Sequence, residues 1–126
     1  MKILHTIYTL NPDTGGLVSA LLSLVEPLQH RGIDNRIACL DAPDAAFLDS
    51  VPVPVHALGP GKTGFGYARA WKPWMRTHIG EFDAVIIHGL WQYHGIGTLG
   101  ALSRTDTPFF VFPHGMLDPR FRRLYP

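Results

Sequence analysis

Five short apolar runs punctuate this chain, and segments with a helical spacing of apolar residues lie between most of them. "KILHTIYT" (residues 2–9), "NRIACLD" (35–41), "PVPVHAL" (52–58), "DAVIIHG" (83–89) and "PFFVFPH" (108–114) are rich in β-branched and aromatic side chains and end on turn-forming residues. From Gly16, residues Leu17, Val18, Leu21, Leu22, Leu24, Val25 and Leu28 recur at helical spacing, and Gly32 stands where a helix stops. Pro27 is expected to kink the last turn, because an interior proline removes one hydrogen bond. "GYARAWKPWMRTHIGEF" and "YHGIGTLGALSRTDT" read as two further helices. Strands alternating with helices require parallel pairing through right-handed crossovers. The expected fold is therefore α/β: a Rossmann-like open parallel sheet of about five strands with helices on both faces, formed by residues 1–126 as one domain.

In such a sheet ligands bind outside the carboxyl ends of the strands, where loops and helix N-termini converge. Three features fall at that edge. Gly15 and Gly16 stand where the first strand turns into the first helix, and a Cβ-free backbone beside free N–H groups suits a phosphate or diphosphate. A tight turn with Asp13 or Thr14 capping the helix accounts for the same residues equally well. The other two features are a repeated pattern: the fourth and fifth runs both go straight into His-Gly, at His88-Gly89 and His114-Gly115. An imidazole at a strand's end can bond a sugar hydroxyl or a phosphate oxygen, and the following glycine leaves a ligand room to pass. A histidine satisfied by a neighbouring loop accounts for either one alone equally well, and it is their pairing at the edge that holds Gly15-Gly16 that favours a site.

Other chemistries lack their signatures. "GPGKTGFG" ends like a phosphate-binding G-x-x-x-x-G-K-[ST] loop, but His56 holds the position of its first glycine, so a plain loop is expected. Seven histidines and one cysteine show no H-E-x-x-H or C-x-x-C spacing, so neither a metal nor another cofactor is expected. No G-x-S-x-G elbow supports Ser-His-Asp hydrolysis. A net charge of +1 without a long basic run argues against nucleic acid. The N-terminus is too polar for a signal peptide, no run approaches membrane-spanning length, and a lone Cys39 suits a reducing, cytoplasmic setting. Arg69, Lys72 and Arg76 interleave with Tyr67, Trp71 and Trp74. That pattern fits either peripheral contact with the anionic inner face of a membrane or a crossover helix with tryptophans in the core and cations in water.

Taken together, "GGLVSALLSLVEPLQHRG", "FDAVIIHGLWQYHG" and "FFVFPHGMLDPRFRR" resemble the N-terminal domain of retaining GT-B glycosyltransferases, family 4-like, over nearly the whole chain. The resemblance implies half of a two-domain fold: an acceptor-binding Rossmann-like domain facing a C-terminal donor-binding domain across a cleft. It implies transfer of a sugar from a nucleotide-sugar to a saccharide or lipid-linked acceptor in polysaccharide or glycoconjugate biosynthesis, with retention and without a metal. By that resemblance Gly15 and Gly16 meet the donor diphosphate and His114 lies beside the transferred sugar. His88, Gly89, Trp91 and Asp118 line the acceptor side. Ile86 stands where many relatives have the first histidine of a His-x-His pattern, so His88 serves alone. "RFRRLYP" carries no stop signal, and the donor domain is absent, so these 126 residues alone are expected to be inactive. The competing expectations are a stand-alone sugar- or phosphate-binding Rossmann module and a sugar-nucleotide epimerase of the same architecture.

Overall fold

The computed structural model of the protein describes residues 1–89 and 92–112. Five strands form one parallel sheet: β1 (Lys2–Ile7), β2 (Asp34–Cys39), β3 (Val55–Ala57), β4 (Ala84–His88) and β5 (Phe109–Phe112), in the order β3-β2-β1-β4-β5. The order reverses between β1 and β4, and this switch point opens a crevice at the strands' carboxyl ends. Among the described residues three α-helices run between them: α1 (Gly16–His30), α2 (Trp71–His78) and α3 (Tyr93–Leu102). The strand and helix expectations hold in number and order, although β3 shortens to three residues.

Strand alternation sends consecutive side chains to opposite faces, so the two cores are separate. On one face Ile7, Ile37 and Cys39 pack against Val18, Leu21 and Val25 of α1. On the other, Leu4, Ala38, Val85 and Ile87 pack against α2 and α3 through Trp71, Met75, Ala101 and Leu102. α1 continues through Pro27 to His30, with the proline inside the helix. The amide of Arg31 bonds the carbonyls of Pro27 and Leu28, which closes the final turn beyond the proline, and Gly32 at φ +82° ends the helix. Pro73 is accepted for a different reason. It is the third residue of α2, inside the first turn, where a backbone N–H has no helical partner in any case.

The tryptophans of α2 belong to the fold. Trp71 is wholly buried and donates its indole N–H to Thr98 Oγ1 of α3 at 3.2 Å. Trp74 is half-buried and stacks on His78 with ring centroids 4.4 Å apart. Arg69, Lys72 and Arg76 are exposed. Of the two readings of this segment, the crossover helix with core tryptophans describes its packing. Among the described residues, no helix is long and apolar enough to cross a membrane.

Candidate functional site

The carboxyl edge begins with the loop that leaves β1. Asp41, just beyond β2, accepts hydrogen bonds from Thr9 Oγ1 at 2.5 Å and from the Leu10 amide at 2.8 Å. An acidic side chain at the end of the second strand is where dinucleotide folds hold a ribose. Here both oxygens are committed to tying down the loop that carries the glycines. Asn11 Oδ1 accepts from the Asp13 amide at 2.9 Å, and the Asn11 carbonyl accepts from both the amide and the hydroxyl of Thr14. The turn is therefore organised by Asn11, and neither Asp13 nor Thr14 caps α1, contrary to that expectation.

Gly15 occupies the cap position itself, at φ +100°, ψ −140°, a backbone conformation closed to L side chains, and makes no side-chain cap bond. Among the described residues, a Cβ built on Gly15 or on Gly16 meets nothing within 4 Å. The pair thus leaves open space, among the described residues, over the N-terminus of a fifteen-residue helix that has no side-chain cap. An anion fits that position electrostatically and sterically.

The second part of the edge is the end of β4. His88 is wholly buried. Its Nε2 lies 3.1 Å from His5 Nδ1 of β1, and His5 Nε2 lies 2.9 Å from Asn35 Oδ1 of β2. The His88 carbonyl accepts from His94 Nε2 of α3 at 2.8 Å, and the Gly89 amide donates to the Phe112 carbonyl of β5 at 2.9 Å. Gly89 turns the chain at φ +93°. The corner is thereby gripped by β1, α3 and β5 together. Burial holds His5 below the usual imidazole range, partly offset by its hydrogen bond to Asn35. Burial likewise pushes His94 down to about 4, against the raising effect of its bond to the His88 carbonyl. Both rings are therefore neutral at pH 7.

The loop "GPGKTGFG" approaches the same edge. Lys62 and Tyr67 pair their backbones, and the Phe65 carbonyl accepts from the Tyr93 amide at 2.8 Å, so the loop caps α3. Gly66 must be glycine: a Cβ there comes within 2.6 Å of the Tyr8 ring. It is an ordered connector, in keeping with its broken motif.

Of the residues singled out in the sequence, the structure brings Gly15, Gly16, His88 and Gly89 to one edge. The ring of His88 is turned into the sheet toward His5. Trp91, His114 and Asp118 lie outside the described residues. Sequence reasoning missed His5, Asn35, Asp41 and His94. A polar residue inside an apolar strand pattern, as in "KILHTI", is the one local signal that pointed to them.

A parallel α/β sheet of this order is the Rossmann-like arrangement of the GT-B glycosyltransferase fold. The match to the family described as "Glycosyl transferase 4-like domain" spans residues 15–126, and the chain belongs to that family. The fold is similar to that of Alr3699/HepE of Anabaena, whose crystal structure is in complex with UDP and glucose, with a TM-score of 0.68 at 21% identity. That likeness covers 96% of this chain and 32% of the HepE chain, so this chain spans about a third of that protein's length. No curated protein matches it.

Proposed function

We propose that this chain is the acceptor-side Rossmann-like domain of a retaining glycosyltransferase, which moves a sugar from a nucleotide-sugar to a saccharide or lipid-linked acceptor in polysaccharide or glycoconjugate biosynthesis. The observation that carries the reading is the open, uncapped diglycine N-terminus of α1 at the carboxyl edge of the sheet, in a chain of this family. There Gly15 and Gly16 meet the donor diphosphate, with a donor-binding domain closing the cleft from the other side. The UDP and glucose of the HepE complex are ligands of the kind this reading requires.

The chemistry asks little of the protein beyond charge and position. The leaving phosphate takes the acceptor's proton on the same face, while helix N–H groups stabilise the negative charge that develops on it. Neither a metal nor another cofactor is needed. His114 lies beside the transferred sugar, and His88, Gly89, Trp91 and Asp118 form the acceptor side. Within this geometry His88 acts through the corner it anchors. A domain holding one wall of the cleft turns over no nucleotide-sugar by itself.

Gly16→Ala in the full-length protein is the test. The residue opens α1 with clear space around it, so an added methyl leaves the melting temperature unchanged or slightly raised. The same methyl crowds the diphosphate, and turnover of UDP-glucose is expected to fall by about tenfold or more, the scale of losing one oxyanion contact. A variant with native melting and native turnover rules out the diphosphate role of this loop.

A further inference from the structure

A chain of hydrogen bonds, part-buried where it begins and fully buried from Asn35 onward, crosses the face of the sheet that α1 packs against, from the amino edge to the carboxyl edge. It starts at Gln29, in the last turn of α1, and passes through Asn35 of β2 and His5 of β1 to His88 at the end of β4. The register explains the path. Asn35 pairs with Ile3 and His5 with Ile86, so each polar side chain lies one pleat further along than its neighbour on the same face.

The direction of every bond in the chain is determined. The backbone amide of Asn35 donates to Gln29 Oε1 at 3.3 Å, which identifies that atom as oxygen. Asn35 Nδ2 donates to Gln29 Oε1 and to the Ile33 carbonyl, both at 3.1 Å, so Oδ1 is the atom that meets His5. An amide oxygen only accepts, so His5 Nε2 carries a proton. A second proton on Nδ1 would place an unpaired cation in the interior, where among the described residues no carboxylate bonds the ring. His5 Nδ1 is then a lone pair, and His88 Nε2 must be the N–H that donates to it. The same logic sets His94: its Nε2 donates to the His88 carbonyl. Backbone groups at one edge of the sheet thus dictate the tautomer of a histidine at the other.

Resting on the transferase reading above, we propose that His5 and Asn35 are positioning residues of the acceptor edge. They hold His88 as its Nε2–H tautomer and, with His94, fix the turn at Gly89. Nε2 of His88 is then the atom that donates toward His5, and the corner at the end of β4 takes a single orientation.

Two measurements on the full-length protein test this. Long-range ¹⁵N–¹H NMR of the native protein near neutral pH should show the proton of His5, His88 and His94 on Nε2 in each case. His88 carrying its proton on Nδ1 overturns the chain, with no variant needed. His5→Phe removes the acceptor for His88, whereas His5→Gln restores it, because an amide oxygen and NH₂ can reproduce the lone pair and the N–H of the native ring. In His5→Phe the Gly89 amide resonance should move while those of Gly15 and Gly16 stay. With UDP-glucose as donor and p-nitrophenyl glucoside as acceptor probe, the acceptor KM should rise about tenfold and the donor KM stay nearly constant. His5→Gln should recover most of that loss, and it decides the kinetic arm if His5→Phe does not fold. Equal damage to both substrates, or native kinetics in a folded His5→Phe, overturns the positioning role. Native protein that transfers no sugar refutes the function being served, which the tautomer measurement distinguishes from a failure of the chain.

Discussion

His94 links one residue's protonation to the stability of the whole domain. Its imidazole is fully buried, neutral, and held down to about 4 from 6.5. The unfolded chain takes up this proton below pH 6.5 and the folded chain does not, so stability is complete above that value and declines as pH falls toward about 4. The loss from this group approaches roughly 3 kcal/mol. Chemical denaturation between pH 7.5 and pH 4 should show the decline, and His94→Gln should flatten the part due to this residue. Thr6 makes the opposite case. Its hydroxyl is buried with no hydrogen-bond partner among the described residues. Thr6→Val, which keeps the shape and removes the hydroxyl, is expected to stabilise the protein by about 1 kcal/mol, read from the denaturation midpoint. Little of this was legible in the sequence. His5 and His88 are 83 positions apart, and nothing local to either strand shows that β1 and β4 are neighbours. The glycines were easier, because a Gly-Gly at a strand-to-helix transition has a local reason to exist.

At the scale of elements, helix periodicity and turn residues placed the five strands and three α-helices, since each depends on neighbours within a few positions. Tertiary packing adds to these local rules. Pro27 sits near the end of a helix whose Val18, Leu21 and Val25 are locked into the core, and that packing together with the closing bonds of Arg31 carries the helix past it. The α2–α3 contact is also tertiary. A Cβ on Gly97 comes within 2.7 Å of Trp71 Cδ1, so α3 lies directly on the indole. Gly97→Ala gains helix propensity yet forces these two helices apart. A net destabilisation of about 1–2 kcal/mol is expected, and a smaller loss when Trp71→Phe is combined with it.

Across the whole molecule, charge distribution bears on partners. Lys72 and Arg76 line a shallow cleft of about 190 Å³ with Gly100, Ala101 and Arg104, and among the described residues none of these cations forms an ion pair. With Trp71 in the core, any affinity of this face for an anionic membrane comes from the cations. We propose that Arg69, Lys72 and Arg76 make that contact. Reversing all three charges should abolish co-sedimentation with phosphatidylglycerol vesicles, and added salt should weaken the native interaction in the same assay. Retained binding by the reversed variant excludes this face.

Alternation of apolar runs with helical segments determined a parallel α/β sheet, because strand and helix periodicities are local and a parallel pair needs a crossover. The sequence also located the diglycine mouth of α1 and the His-Gly corner of β4, since loops at strand ends announce themselves through glycine. Only the tertiary structure decided what those residues do to each other. It turned the His88 ring inward to His5, committed Asp41 to the β1 loop, and joined Gln29, Asn35 and the two histidines into one directed chain. The physical reason is that hydrogen bonds across strands depend on which strands are adjacent and in what register, and both are properties of the assembled sheet.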